Sequence, residues 1–355
     1  MNKQLKDKQW SEFFIDELGV IKSGKDIAQK NMVDGNTPYI SATSINNGIN
    51  NFVDNENNSL ESKCISINRT GSVGYAFYHE YTALFSNNCR KFILNEHNNK
   101  YVSLFIVNQI KQQKEKYSYG YIMGTGRLKR QKIMLPIDNY GNPDFEFMEE
   151  YVKNKYENLI QNILKRIDEK LNELNFVDIV KLNEKDWSPF FIDEIGDIHS
   201  GKDITKINMI MGDIPYISST SKNNGINAFV GNNNTTLESN CISINRIGSV
   251  GYAFYHPYSA LFSNDCRKLK INKNKHVSLF IVNQIKQQKE KYNYGYKMGT
   301  GRLKRQQIML PISEEGEPDY NYMEQYMINL EIKLLKKYID FVENNNNKIL
   351  VKFYG

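Results

Sequence analysis

Alternating apolar and polar positions predict short β-strands in the first module of this chain. Residues 64–68 and 73–78 both alternate, and Gly71 with Ser72 supplies the turn between them. The pattern predicts further strands at residues 39–43, 84–85, 91–94 and 133–136, and the first of these leads into a polar, Asn-rich loop. Short strands between polar loops indicate small twisted sheets.

The spacing of apolar residues then changes to that of a helix. Val102, Phe105, Ile106 and Ile110 share one face and predict a helix over residues 102–116. This helix ends in a basic, Gln-rich segment, and a loop rich in Tyr and Gly leads on to the final strand.

A much longer apolar stripe follows. Between residues 148 and 174 its members are separated by 4, 4, 3, 4, 4, 4 and 3 positions, which predicts one amphipathic helix from Asp144, a suitable N-cap, to Leu174. Some 30 residues at ~1.5 Å each form a rod of roughly 45 Å. A second stripe runs from Met323 to Phe341. Because a single apolar stripe has to be covered, we expect the rods to pack as an antiparallel coiled coil.

The sequence contains an internal duplication. Residues 123–131, MGTGRLKRQ, recur letter for letter at 298–306. Around them, 60 of 86 positions are identical when residues 10–95 are aligned with 187–272, and 36 of 45 when 101–145 are aligned with 276–320. The order is therefore module, rod, module, rod, and an approximate twofold axis is expected.

This order gives an α+β fold with five segments. The predicted divisions are a first module at 1–144, a long helix at 145–176, a linker at 177–186, a second module at 187–319, and a second long helix with a tail at 320–355.

Composition narrows the class of protein. The net charge is +6, with 24% charged and 40% hydrophobic residues, ordinary for a globular protein and compatible with a polyanionic partner. No apolar run approaches the ~18 residues of a membrane span and no signal peptide is apparent, so a cytoplasmic location is expected. The four cysteines lack the spacing of a zinc site, and we expect buried free thiols and no bound metal. His79 and His256 are expected to be structural.

Two near-identical modules suit a ligand with its own twofold axis, and double-stranded DNA is the leading candidate. Cations are available for phosphates, Asn and Ser for base edges, and Arg69 and Arg246 for guanine. The candidate DNA contacts are Lys25, Thr43, Ser44, Asn46, Asn47, Arg69, Arg90, Lys91, Arg127, Lys129 and Arg130, and in the second module Lys202, Thr220, Ser221, Asn223, Asn224, Arg246, Arg267, Lys268, Arg302, Lys304 and Arg305.

Other cations are open to a simpler interpretation. The lysines at 111, 114 and 116, with their counterparts at 286, 289 and 291, could meet phosphates or form a solvated helix face. GTGRLKR lacks the GxxxxGK[ST] spacing of a phosphate-binding loop, and nucleotide binding is excluded on that ground. No motif of a hydrolase, a metalloprotease, a nuclease or an amino-methyltransferase is found, which favours a non-catalytic chain.

The architecture resembles the specificity (S) subunit of type I restriction-modification systems, and of related type II systems whose nuclease and methylase are fused in a partner chain. The resemblance rests on WSEFFIDELGVIKSGKD with PYISATSINNGI, and on GTGRLKRQKIMLP with GNPDFEFMEEY entering the helix, each with a second copy. It covers nearly the whole chain.

The resemblance implies two target-recognition domains that read a bipartite DNA site. It also implies docking of two methyltransferase subunits, with S-adenosylmethionine held by those partners and not by this chain, and in some systems recruitment of a restriction subunit. The partner would flip the target adenine out of the duplex. Family members usually have dissimilar recognition domains. Here the copies agree closely, so near-identical half-sites, an interrupted palindrome, are expected.

Three alternatives remain open at this point. The partner could be a fused nuclease-methylase. The chain could instead be a bivalent protein–protein adaptor, which the steep salt dependence of DNA binding would distinguish. Lastly, it could be a modification enzyme with an unfamiliar active site, which would transfer methyl groups without a partner.

Overall fold

The computed structural model describes residues 4–118, 120–292 and 295–354, with side chains up to residue 344. It divides into two compact units, residues 1–163 and 164–355. Each unit contains one head, the name used below for a module with its sheets and short helices. Among the described residues, no helix has the length and apolarity that a bilayer crossing requires.

Within its described residues head 1 contains nine strands and three short α-helices, and a long helix follows it. In chain order they are β1 Trp10–Phe14, α1 Ile15–Leu18, β2 Gly19–Ser23, β3 Asp34–Ile40, β4 Ile49–Val53, β5 Cys64–Asn68, β6 Ala76–His79, β7 Leu84–Phe85, β8 Cys89–Leu94, α2 Lys100–Gln112, α3 Thr125–Lys129, β9 Lys132–Pro136 and α4 Phe145–Glu173.

Three small sheets organise the head. An antiparallel sheet has the order β2-β8-β5-β6, a mixed sheet has the order β4-β3-β7, and β1 pairs with β9. Helix α2 packs against the four-stranded sheet, where Phe92, Ile106 and Ile110 are fully buried. The buried side of α2 is the face that the apolar spacing predicted, since Val102, Ile106 and Ile110 lie on it.

Head 2 repeats these elements. They are β10 Trp187–Phe191, α5 Ile192–Ile195, β11 Asp197–Ser200, β12 Met211–Ile217, β13 Ile226–Val230, β14 Cys241–Asn245, β15 Ala253–His256, β16 Leu261–Phe262, β17 Cys266–Lys270, α6 Lys275–Gln287, α7 Thr300–Lys304, β18 Gln307–Pro311 and α8 Tyr320–Tyr354. The strand orders match those of head 1. The mixed α+β fold with small sheets is thus confirmed.

Several element boundaries differ from the predictions. The strand predicted at 39–43 is β3, which ends at Ile40, and the strand predicted at 73–78 is β6, which begins at Ala76. Gly74 explains the second shift, because its φ of +78° belongs to a turn and a Cβ there would lie 2.8 Å from the Cα of Lys114. The regular part of the helix predicted at 102–116 ends at Gln112.

The long helices begin as expected. Asp144 Oδ1 accepts a hydrogen bond from the Phe147 amide at 3.0 Å, and Asp319 Oδ1 does the same for Tyr322 at 3.0 Å. Both carboxylates thus cap the first turn of their helix, where free N–H groups need acceptors. The antiparallel packing of α4 with α8 stays a prediction.

Candidate nucleic-acid interface

The Asn-rich loop of head 1 is held in a defined shape. Asn46 and Asn47 both adopt left-handed backbone conformations, with φ of 50° and 54°, which Asn tolerates better than most residues. The buried Asn68 at the end of β5 donates from Nδ2 to the Thr43 carbonyl at 3.0 Å. Thr43 is half-buried, whereas Ser44, Asn46 and Asn47 are exposed. The side-chain amide of Asn47 donates to the Tyr81 hydroxyl at 3.2 Å, and this hydrogen bond fixes the orientation of the amide.

Two further loops join this one. The backbone amide of Arg69 donates to the Asn88 carbonyl at 2.9 Å, and Ser72 donates to the Ala42 carbonyl at 3.4 Å. Asp26 Oδ1 accepts from the Asn87 amide at 2.8 Å, and the Lys25 amide donates to the Phe85 carbonyl at 2.8 Å, which leaves the Lys25 side chain exposed. The ends of several strands therefore form one continuous polar surface.

The GTGRLKR segment contains the short helix α3, which the sequence analysis missed. Leu128 is fully buried and anchors the helix to the core, while Arg127, Lys129 and Arg130 are exposed. Arg127 Nη1 donates to the Ile122 carbonyl at 2.7 Å, and its guanidinium lies 4.0 Å from the centroid of the Tyr121 ring. Five residues with one buried apolar side chain are too short for a helical period to be recognised.

The Tyr-rich loop before α3 is ordered by stacking. The rings of Tyr117 and Tyr121 are 5.7 Å apart with an interplanar angle of 19°, and the Tyr117 hydroxyl donates to Gln131 Oε1. Tyr119 lies outside the described residues. Arg127, Tyr121 and Tyr117 therefore form one stack, and the outer guanidinium presents its charge to solvent.

The structure corrects two predicted phosphate contacts in each head. Arg90 is only 5% exposed, and its Nε donates to Thr125 Oγ1 at 2.6 Å while Nη1 donates to the Asn87 carbonyl at 2.9 Å. Lys91 is only 2% exposed, and its Nζ donates to the Ser59 carbonyl at 2.9 Å. Both lie on the buried strand β8, so they support the loops and α3 from within.

The same correction applies to head 2. Arg267 Nε donates to Thr300 Oγ1 at 2.6 Å, and Lys268 Nζ donates to the Thr236 carbonyl at 3.2 Å. Both side chains are buried, at 6% and 5% exposure. Their positive charge still adds to the field of the surface, although direct contact with a phosphate is not favoured.

Two neighbouring arginines, Arg69 and Arg90, contribute positive charge to this surface. Burial lowers the pKa of Arg90 from its ordinary value, and the charge of Arg69 lowers it further. Among the ion pairs of the described residues, neither guanidinium has a carboxylate within 4.0 Å, and Arg69 Nε is buried without a hydrogen-bond partner. Two guanidinium groups without a counter-ion create a positive surface that attracts anions.

Lysines of α2 and the turn after it contribute differently from the expectation of a basic helix face. Lys111 Nζ lies 5.6 Å from the ring of Phe77, and Lys114 Nζ lies 5.2 Å from the ring of Tyr75. The two rings stack with their centroids 6.5 Å apart, Phe77 on β6 and Tyr75 just before that strand. These lysines cover an aromatic surface, as long side chains with an apolar stem often do.

We call one surface of each head its polar face. In head 1 it consists of residues 24–26, 41–48, 68–72, 86–90 and 122–130, and in head 2 of the equivalent residues. The structure brings these five segments together through hydrogen bonds, including one from the Met123 amide to the Arg69 carbonyl at 3.2 Å. In head 2, Met298 donates to Arg246 at 3.2 Å, and Asn245 Nδ2 donates to Thr220 at 3.0 Å.

The predicted residues of head 2 occupy equivalent places. Arg302 Nη1 donates to the Lys297 carbonyl at 2.7 Å and its guanidinium lies 4.1 Å from the Tyr296 ring, as in the first stack. The other members of the set that remain exposed are Lys202, Ser221, Asn223, Asn224, Lys304 and Arg305. Thr220 and Arg246 are half-buried, like Thr43 and Arg69.

Sequence reasoning missed the residues that hold the polar face in shape. Asn68, Asn87 and Thr125 are the hydrogen-bond partners that connect its loops. Their identity in both copies was visible in the sequence, but identity alone does not separate a supporting residue from a contacting one. Their partners lie up to 35 positions away in the chain.

The four cysteines are buried free thiols, as predicted, and His79 and His256 are buried at the ends of their strands. His79 is buried at the end of β6, where Nε2 lies 2.8 Å from Ser66 Oγ, and burial lowers its pKa to about 4. The free thiols of Cys64 and Cys89 are buried, which raises the pKa of each to about 12. Buried thiols of this kind are not activated as nucleophiles at neutral pH.

Comparison with known proteins identifies the family to which this chain belongs. The family model described as the type I restriction modification DNA specificity domain matches twice, over residues 7–169 and 184–344. The chain belongs to this family and is the specificity subunit of a restriction-modification system, with two such domains.

Two individual proteins are similar along almost their whole length. The type II restriction enzyme specificity subunit S.BcgI of Heyndrickxia coagulans is 37% identical over 347 residues, which is 94% of this chain and 97% of that protein. The crystal structure of a type I restriction-modification S subunit from M. genitalium aligns with a TM-score of 0.53 and 17% identity, covering 98% of this chain and 95% of that one. The second likeness concerns the fold alone.

Proposed function

We propose that each polar face contacts one half of a bipartite double-stranded DNA site and that the two half-sites are nearly identical. The observation that carries this proposal is the repetition, in both heads, of the same hydrogen-bonded loops around a pair of arginines. In head 2 burial again lowers the pKa of Arg267 and the charge of Arg246 lowers it further, while the nearby carboxylate of Asp265 opposes this shift.

The residues divide into two groups by chemistry. The exposed cations of α3 and α7, with Lys25 and Lys202, are suited to phosphates. The exposed amides and hydroxyls of the Asn-rich loops are suited to base edges, since Asn can pair with adenine through two hydrogen bonds. Arg90, Lys91, Arg267 and Lys268 support these groups from inside.

The chain itself carries out no chemistry in this proposal. It docks two methyltransferase subunits, which bind S-adenosylmethionine, modify an adenine in each half-site and flip that base out of the duplex. The 37% identity to a type II specificity subunit favours a partner in which nuclease and methylase are fused. A separate methyltransferase with a restriction subunit is the other arrangement.

The test is the methylation pattern of cells that express this chain with a cognate methyltransferase, mapped by long-read sequencing. An interrupted palindrome is the expected result. Unrelated half-sites would contradict the argument from equal heads. Absence of methylation, together with DNA binding that does not weaken between 50 and 200 mM salt, would favour a protein adaptor. Methyl transfer by the purified chain alone would contradict the non-catalytic role.

A further inference from the structure

The two polar faces differ at few positions. Within the residues that define them, only five pairs are not identical: Ala42 and Ser219, Ile45 and Lys222, Thr70 and Ile247, Asn88 and Asp265, Ile122 and Lys297. Two of these changes place a lysine in head 2, which adds charge that any phosphate attracts. A change of phosphate affinity does not select a base. The difference between Asn88 and Asp265 is of another kind, since it exchanges an amide for a carboxylate.

The backbone holds this residue at the same place in both heads. The Asn88 carbonyl accepts from the Arg69 amide at 2.9 Å, and the Asp265 carbonyl accepts from the Arg246 amide at 2.9 Å. Their own amides donate to Ser86 Oγ and Ser263 Oγ, each at 3.2 Å. The two side chains therefore start from equivalent points beside the arginine pair. They differ in their hydrogen-bonding groups and in exposure, since Asn88 is exposed and Asp265 is half-buried.

A second substitution accompanies the first. In head 1, Thr70 Oγ1 donates to Asn88 Oδ1 at 3.1 Å, so the carbonyl of this exposed amide is occupied and its Nδ2 group remains for another acceptor. In head 2 the residue equivalent to Thr70 is Ile247. Isoleucine has no hydroxyl to donate. Both oxygens of Asp265 are therefore left without that neighbour, and among the described residues Asp265 forms no ion pair within 4.0 Å.

These chemistries match different base edges. In the major groove, the N7 of purines, the O6 of guanine and the O4 of thymine accept hydrogen bonds, while N4 of cytosine and N6 of adenine donate them. An amide Nδ2 donates to the first set, whereas a carboxylate can only accept from the second.

We propose that Asn88 and Asp265 read the equivalent base pair of the two half-sites and make the half-sites differ there. Asn88 donates to a base acceptor, and Asp265 accepts from cytosine N4 or adenine N6. This inference rests on the proposed function and sharpens it, because the site becomes an interrupted palindrome with one mismatched position.

The test exchanges the pairs between heads. The double variant Thr70→Ile with Asn88→Asp gives head 1 the groups of head 2, and Ile247→Thr with Asp265→Asn does the reverse. Each is expressed with a cognate methyltransferase, and methylated sites are mapped by long-read sequencing. Each exchange is expected to convert the site into a full interrupted palindrome. The first exchange should place the base pair read by Asp265 in both half-sites, and the second should place the base pair read by Asn88 in both. The preference at that base pair should change by roughly 10- to 100-fold.

A matched control is available at the other end of β8. Asn88 precedes β8 and the exposed Asn95 follows it, outside the polar face, so Asn95→Asp makes the same chemical change elsewhere. It is expected to leave the methylated site unchanged. Thermal melting of all variants shows whether they fold, and the second exchange provides an independent reading if the first is unstable.

The possible outcomes separate the two proposals. Identical half-sites in the unmodified protein would overturn the inference and leave the proposed function intact. An even loss of methylation at all sites would also overturn it, since it would mean that the carboxylate acts only on the field of the arginine pair. No methylation at all by the unmodified complex would instead count against the proposed function.

Discussion

Lys91 of head 1 and Lys268 of head 2 are equivalent buried lysines, but the ion pairs around them differ. In head 1, Lys91 lies 3.6 Å from Glu61, which also pairs with Lys22 at 3.2 Å. In head 2, Lys268 lies 4.0 Å from Glu238, whose partner is Lys270 at 2.8 Å. The second cation thus comes from a different strand, β17 instead of β2.

This difference shows which positions the fold restricts. A buried ammonium needs its carbonyl and carboxylate acceptors, because an unpaired buried charge is costly. An exposed partner can be supplied from either side of the acceptor at little cost. The buried frame of the polar face is therefore the same in both heads, and the five substituted pairs are all exposed or half-buried.

The largest effect is expected from removing the exposed cations of one head. The triple variant of Arg127, Lys129 and Arg130 to Ala should weaken DNA binding by the assembled complex, and each lost phosphate contact should reduce the slope of log K against log salt by about 0.9. Because α3 and α7 are identical in sequence, the equivalent change in head 2 should have the same effect. Fluorescence anisotropy between 50 and 200 mM salt measures both.

The matched control keeps the charges. Exchanging Arg127 for Lys, Lys129 for Arg and Arg130 for Lys should leave the salt slope close to that of the unmodified protein. Unequal losses for the two heads would show that they do not contact DNA in the same way.

Loss of the buried guanidinium should affect stability. Arg90→Met leaves Thr125 Oγ1 and the Asn87 carbonyl without their donor, and we expect a loss of roughly 2–4 kcal/mol in the free energy of unfolding. Arg267→Met should cost about the same in head 2. Urea unfolding followed by circular dichroism measures it, and Lys129→Met, at an exposed position, is the control. A change below about 0.5 kcal/mol would contradict the structural role.

Acidification should destabilise both heads in parallel. Burial lowers the pKa of His79 and of His256 from 6.5 to about 4. Between these values the unfolded chain binds more protons than the folded one, so stability falls as pH decreases from about 6.5 to 4, by up to roughly 3 kcal/mol per histidine.

Variants with Gln at one of the two positions isolate each contribution. Unfolding free energies measured from pH 7.5 to 4.5 should lose about half of the histidine-dependent slope in His79→Gln and in His256→Gln. An unchanged slope would mean that other groups cause the pH dependence.

The smallest effect is expected at the exposed ion pair that only head 2 possesses. The hydrogen bond from Lys270 holds the pKa of Glu238 below its ordinary value. Lys270→Ile copies Ile93 of head 1 and should cost no more than about 1 kcal/mol, since the pair is partly exposed. The difference in unfolding free energy between the variant and the unmodified protein should be smaller in 500 mM salt than in 50 mM salt, because salt screens the ion pair. A larger cost would show that Lys268 depends on this neighbour.

Much of the fold was predictable because its signals are local. The alternation in β5, the helical spacing in α2 and the stripe with Asp144 as its cap each involve neighbouring residues. The duplication was visible by direct comparison. Helix α3 was missed because five residues contain too little periodicity, and the start of β6 was misplaced because the turn at Gly74 depends on its close approach to Lys114.

The sequence by itself determined that this chain has two nearly equal heads, two long helices and a set of cations and amides suited to DNA. Only the tertiary structure decided which of those groups are available. Arg90 and Arg127 have the same side chain, yet one is enclosed between β8 and α3 and the other is exposed. Burial and hydrogen-bond partners depend on residues far apart in the chain, and a sequence pattern records only the side chain and its immediate neighbours.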